Sequence, residues 1–275
     1  MRGALLWILE CLSQALQVLS QNGSSGYLTA GIGAFSSAYS VCRGIASSVC
    51  RPIAYTLLTI FLLLDLYEVT THLYQQGGGG LAAPVAGIKS VIKLAMVKWA
   101  IDSSSTLLGG IFDVAVSITS RIGGTSALTM GDLAGRMQGF IESTDIGILE
   151  GIGYFALMLL ALIAAWLAII GITYVILSRF VQCYFYVALA PIPMSFFAQS
   201  HTVQMGLGYF KGFAGVALQS AVIALAIKLY PSFASAITLA DDNLGACCLH
   251  VAMLSVILLG TIFGSSQVAQ RVFGG

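Results

Sequence analysis

Charge is what this 275-residue sequence has least of: 12 Lys and Arg with 11 Asp and Glu make up 8% of it, where an ordinary soluble domain carries about a quarter. With 58% hydrophobic residues and a mean hydropathy of +0.93, there are too few polar side chains to clothe a soluble core. The charges also nearly cancel, at +1 overall, so the basic excess usual in nucleic-acid binders is missing. The three histidines, His72, His201 and His250, are too scattered for a His-Glu-x-x-His metal helix. There is no Gly-x-Ser-x-Gly elbow and no phosphate-cradling glycine loop ending in Lys-Ser or Lys-Thr. The six cysteines, Cys11, Cys42, Cys50, Cys183, Cys247 and Cys248, include no pair at the spacing of a zinc knuckle or a redox dithiol. Cys42 and Cys50 stand too far apart along one helix to be bridged. Gly131-Asp132 is half of an intramembrane aspartyl motif without its partner, and Asp241-Asp242 reads as a solvated loop cap. These absences leave no enzyme, no cofactor and no metal site to expect.

What the chain does have is apolar length. A bilayer pass needs about 20 mostly apolar residues, and the runs that qualify predict an all-α, polytopic integral membrane bundle. They are Pro52 to about Leu73, Ile88 to Ile118, Ile148 to about Ser178, Phe180 to about Ala198, Leu207 to Leu229, and Ala246 to about Phe263. That makes six passes with a division at Ser178-Arg179, or five if the charged second segment lies at an interface. Residues 1–50 form an N-terminal region of amphipathic, interfacial helices. Leu5, Leu6, Ile8, Leu9, Leu12, Leu16 and Leu19 recur at helical spacing opposite Glu10, Gln14 and Gln17, and this start lacks the pattern of a cleavable export signal. Gly31 to Cys50 is weakly amphipathic and rich in Gly, Ala and Ser. Residues 51–275 form the transmembrane domain, with a Gly-rich connection at Gly77–Gly80 and a polar loop at about 119–147 holding Arg121, Asp132, Arg136, Glu142 and Asp145. Lys and Arg in the loops orient such a chain. Counting Arg179 as a loop residue on the opposite side, they put the C-terminus in the cytoplasm.

Charges at membrane depth are costly unless they meet a partner, water or the bundle interior. Five of them, Lys89, Lys93, Lys98, Asp102 and Asp113, fall on Ile88 to Ile118. Lys98 and Asp102 are four apart and share a helix face as a possible ion pair, extended by Ser103, Ser104, Ser105 and Thr106. Lys93, Lys98, Asp102, Ser103 and Asp113 are therefore the candidates for a pore lining or a subunit seam. The alternative is an internal pair closing onto Asp65 or Glu68. Lys211 and Lys228 bracket an apolar run as snorkelling anchors. Gly208 with Gly212, Ala217 with Ala221, and Gly260 with Gly264 repeat the four-residue small-residue spacing of close helix contacts, the marks of a tightly packed bundle or an oligomer. Pro191 and Pro193 break the helix they sit in, and a break at membrane depth must be buried in protein or face water.

The stretch Tyr186 to Ala198, with Ala190-Pro191-Ile192-Pro193 inside it, followed by Gly206 to Phe210 and Lys211 to Ile223, resembles the core of the TrbL/VirB6-like conjugal transfer membrane proteins of Gram-positive conjugative elements. Pro52 to Glu68 and Val97 to Asp113 are weaker echoes, and the order of segments is similar over nearly the whole chain. The resemblance implies an oligomeric channel or scaffold component of a type IV secretion machine in the cytoplasmic membrane. Other secretion subunits, membrane phospholipids and single-stranded DNA with its relaxase, or protein effectors, would be its partners. A small-solute or ion transporter, with Asp65, Glu68, Lys98 and Asp102 as a coupling site near the break at Pro191, is the competing expectation.

Overall fold

The computed structural model describes residues 2–24, 26–75, 82–123, 138–139, 148–238 and 244–272. The connection at Gly77–Gly80, the Gly131-Asp132 pair, most of the polar loop, and Asp241-Asp242 lie outside the described residues. Every regular element among the described residues is helical. They are α1 (Arg2–Ser24), α2 (Ser36–Ile45), a π turn (Ala46–Cys50), α3 (Arg51–Gln75), α4 (Ala82–Asp102), α5 (Ser104–Gly123), α6 (Ile148–Leu189), α7 (Pro191–Ser195), a 3-10 turn (Phe196–Ala198), α8 (Val203–Thr238) and α9 (Leu244–Val272). Four of the described helical runs are long and apolar enough to cross a membrane: Ser36–Thr71, Gly151–Leu189, Val203–Tyr230 and Cys248–Val272. A fifth counts if the pair Gly87–Asp102 and Ser104–Ile122, bent by 67°, is one span.

Three local features depart from the expected segmentation. First, the division expected at Ser178-Arg179 does not exist, because α6 runs unbroken for 42 residues. Arg179 is only 1% exposed within it, so it is a buried helix residue and no loop marker of orientation. Apolar residues on both sides keep the helix going, and one Arg interrupts neither its hydrogen bonds nor its propensity. Second, α2 joins α3 through the π turn, so the boundary expected after residue 50 falls inside one helical run. Pro52 has no amide to donate to the preceding turn, and the widened π turn directly before it is one way a helix absorbs a proline. Third, the charged second segment is bent at Ser103. Three consecutive serines compete with the helix for backbone hydrogen bonds, and the Ser103 carbonyl starts α5 by accepting from the amides of Thr106 and Leu107, both at 3.0 Å.

The chain divides into two compact units. One comprises Met1–Ala30, Ala115–Arg179 and Leu218–Ala269. In it, α1 buries Ile8, Leu9, Leu12 and Ala15. Neutral groups and one lysine tie its helices together. Thr119 Oγ1 lies 2.8 Å from Ser220 Oγ, Gln219 Nε2 donates to Ser265 Oγ at 3.1 Å, and Lys228 Nζ donates to the Ile122 carbonyl at 3.0 Å. Lys228 is thus a cap on the C-terminal end of α5, where lysines satisfy orphan carbonyls, and not a snorkelling anchor. At Gly171 a Cβ would stand 2.1 Å from Leu259 Cδ1, so α6 and α9 meet closely through that glycine.

The other unit comprises Gly31–Val114, Phe180–Ala217 and Gln270–Gly275. Its centre is an antiparallel hairpin of α3 and α4, with α7 packed against both. Ala54 and Leu58 of α3, Val97 and Ile101 of α4, Met194 of α7 and Ala198 form one buried cluster. Lipid tails are as apolar as these side chains, so their burial gives little hydrophobic drive. Close packing and polar ties decide helix association instead.

Candidate functional site

The α3–α4 hairpin has a polar level on each side of its apolar cluster. At the level nearer Gln75, Asp65 accepts from Ser90 Oγ at 3.1 Å and from Lys93 Nζ at 3.0 Å. The Asp65 side chain is 12% exposed and that of Lys93 29%, so both charges sit largely inside protein with a partner in place. At the other level, the Tyr55 hydroxyl donates to the Asp102 carboxylate, and Arg51 Nη2 donates to the Asp102 backbone carbonyl at 2.9 Å. That bond satisfies a carbonyl at the last turn of α4, directly before the bend at Ser103. Tyr55 and Asp65 are ten residues apart on α3, roughly 15 Å at helical rise.

The five candidate residues separate by direction. Lys93 turns inward to Asp65, the internal pairing left open as the alternative. Asp102 is held by Tyr55 and not by Lys98: no ion pair joins Lys98 to Asp102. Both residues lie within α4, but the Asp102 carboxylate is taken by the Tyr55 hydroxyl across the hairpin and Lys98 is exposed. Ser103 is the bend itself. Lys98 and Asp113 are exposed, as is Lys89, and none of these three has a polar partner among the described residues. The four residues of the transporter reading do not converge, since Asp65 faces Ser90 and Lys93, Glu68 Oε1 stands 3.6 Å from His201 Nε2, and Asp102 meets Tyr55. No group of three metal-binding side chains occurs among the described residues.

Pro191 opens the five-residue α7 after α6 ends at Leu189, and Pro193 follows within it. Proline at a first turn lacks only an amide that would have no partner there. Ala190 between the two helices keeps helical dihedrals, φ −49° and ψ −39°, and Met194 of α7 enters the hairpin cluster. Nearby, Phe197 and Phe210 lie with ring centroids 5.8 Å apart, and a Cβ on Gly206 would come 2.7 Å from Phe197 Cε2.

The small residues also separate. A Cβ on Gly212 would stand 2.7 Å from the Tyr186 hydroxyl oxygen, and Ala217 and Ala221 are buried. Gly208, Gly260 and Gly264 have open space where a Cβ would stand. The close glycines that sequence spacing did not single out are Gly171 and Gly206. Their partners, Leu259 for Gly171 and Phe197 for Gly206, stand on other elements, which spacing along one helix does not reveal. Tyr55, Ser90 and Arg51 were missed for the same reason.

A family model described as TrbL/VirB6 plasmid conjugal transfer like protein matches residues 32–191. The match contains the hairpin, the bend and the weaker echoes at Pro52–Glu68 and Val97–Asp113. It overlaps the stronger resemblance at Tyr186 to Ile223 only in its first six residues. No curated protein and no solved structure matches the chain.

Proposed function

The chain belongs to the TrbL/VirB6-like conjugal transfer family and is a multi-pass membrane component of a type IV secretion machine; from that premise we propose that it works there as an oligomeric, non-catalytic channel or scaffold in the cytoplasmic membrane. Its cargo on this reading is single-stranded DNA with its relaxase, or protein effectors. The observation that carries the reading is the outward direction of Lys89, Lys98 and Asp113 on the bent α4–α5 pair. An exposed charge on a membrane segment requires water or a neighbouring subunit, and an aqueous path between copies of the chain supplies both. The open faces at Gly208, Gly260 and Gly264 suit small-residue contacts between subunits. The Gram-positive assignment rests on the resemblance over Tyr186 to Ile223.

The test is cysteine substitution at Lys98 and Asp113, in a chain whose native cysteines are replaced, in cells carrying the conjugative element. The expected result is labelling by a membrane-impermeant maleimide or a crosslinked ladder of the protein. Residues sealed from both water and neighbours, together with a strictly monomeric mass in detergent, would defeat the proposal, since one bundle of this size cannot enclose a lumen wide enough for DNA. Neighbouring genes for a secretion ATPase, a coupling protein and a relaxase are expected; a lone operon of metabolic genes would favour a transporter. The cytoplasmic C-terminus belongs to this proposal too, with the N-terminus on the same side in a four-span chain. A C-terminal reporter found outside would overturn this orientation, and termini on opposite sides would require the bent pair to cross.

A further inference from the structure

Ser40, Arg43, Ser47 and Arg51 recur at intervals of three and four along α2, the π turn and the start of α3, which aligns them as a polar stripe. Together with Ser104 and Ser105 from the first turn of α5, they line an open cavity of about 370 Å³. That volume lies at the small end of the range for sites that hold an organic ligand. Among the described residues no carboxylate pairs with either arginine. Arg43 lies over the Tyr39 ring at 5.9 Å, and Arg51 gives Nη2 to the Asp102 carbonyl while its Nε is buried with no hydrogen-bond partner. Ser104 and Ser105 are 1% and 8% exposed, and neither hydroxyl has a partner among the described residues. The amides of Thr106 and Leu107 already bond the Ser103 carbonyl, which leaves those of Ser104 and Ser105 as the open donors at the positive end of α5. The carboxylate of Asp102, beside the cavity, accepts from Tyr55 and pairs with neither arginine.

Ser40 and Ser47 donate to the carbonyls of Ser37 and Gly44 and Arg51 to that of Asp102, but the rest of the two guanidinium groups, the hydroxyls of Ser104 and Ser105 and the helix start make a donor set that outnumbers its acceptors among the described residues. We propose that this cavity binds a phosphate group, brought by an anionic phospholipid headgroup or by free phosphate. Arginine forks match phosphate oxygens in pairs, and helix starts favour anions. The cavity is lined by two of the runs assigned to the membrane, Ser36–Thr71 and the bent pair, which places it within reach of a headgroup. Its size suits one headgroup better than a nucleic-acid strand. The inference is independent of the export reading, since it concerns a ligand of the folded chain and not its cargo.

The test titrates the full purified chain in detergent with dihexanoyl phosphatidylglycerol, with dihexanoyl phosphatidylcholine and with inorganic phosphate, following the thermal unfolding midpoint. The expected result is a saturable rise with phosphatidylglycerol, with inorganic phosphate or with both, and a smaller one with phosphatidylcholine. A response to phosphatidylglycerol alone identifies a lipid-borne phosphate, and a response to inorganic phosphate identifies a free one. Arg43→Gln is expected to weaken the apparent Kd about tenfold, the loss of one charge-assisted contact. Ser105→Ala is expected to weaken it less, and Arg43→Gln with Arg51→Gln to remove the response. Should the double variant fail to fold, Arg43→Gln alone decides, because Arg43 is exposed and outside the core. No response to any phosphate, an unchanged Kd in Arg43→Gln, or displacement of the anion by a single-stranded oligonucleotide would overturn the proposal.

Discussion

Asp65 and Arg51 stand on the same helix and meet opposite circumstances. Asp65 closes a level in which each charge has its counter-charge and a hydroxyl fills the remaining position. Beyond the apolar cluster, Arg51 opens a level in which two arginines and two buried serines outnumber the acceptors offered to them. A closed polar level in a low-dielectric interior holds helices in register. An open one is costly unless something outside the described chain completes it. The difference therefore separates residues that serve the fold from residues that await a ligand or a neighbour.

Breaking the closed level should have the largest effect. Asp65→Leu leaves the Lys93 ammonium largely inside protein with no counter-charge and is expected to cost about 3 kcal/mol, near the lower end of the range for removing one partner of a buried pair. Adding Lys93→Met should recover most of it, as chemical unfolding in detergent would measure. No recovery in the double variant would mean that Asp65 acts other than through Lys93.

The next contrast is between filled and empty glycine faces. Gly212→Val drives a methyl-bearing carbon into the Tyr186 hydroxyl and should cost about 1–3 kcal/mol of stability. At Gly264 a Cβ meets open space among the described residues, and Gly264→Val should stay within about 0.5 kcal/mol. If Gly264 lies on a subunit seam, the same valine lowers the oligomeric mass in detergent without lowering the stability of each chain. Tyr55→Phe removes the hydroxyl that holds Asp102 and should cost about 1 kcal/mol, readable as a drop in the unfolding midpoint. Smallest of all, Arg43→Gln should leave ligand-free stability within about 0.5 kcal/mol. A larger loss would move the open level into the structural class and weaken the contrast with Asp65.

Some of this was legible in the residues. The apolar runs, the concentration of charge between Ile88 and Ile118 and the proline break all depend on neighbours along the chain, and the conjugal transfer family was recognisable from short motifs. The division at Ser178-Arg179 was misread because a single Arg in an apolar block looks like a loop residue when nothing shows whether protein can cover it. The pair Lys98–Asp102 follows from spacing along one helix, which does not reveal that Tyr55 of the neighbouring helix takes the Asp102 carboxylate. The stripe Ser40, Arg43, Ser47 and Arg51 stands at helical spacing, but the serines of α5 that complete the cavity lie more than 50 residues further along the chain.

By itself the sequence determined that this protein is helical and lives in a membrane, since 23 charged residues in 275 cannot cover a soluble core, and it placed most of the apolar segments. Only the tertiary structure decided which of the rare polar residues face each other. It joined Asp65 to Lys93 and Asp102 to Tyr55, turned Lys98 and Asp113 outward, and set two arginines against the serines of α5. The physical reason is that a charge in an apolar setting is governed by what lies within a few ångströms of it, and those neighbours come from segments 25 to more than 50 residues away in the chain.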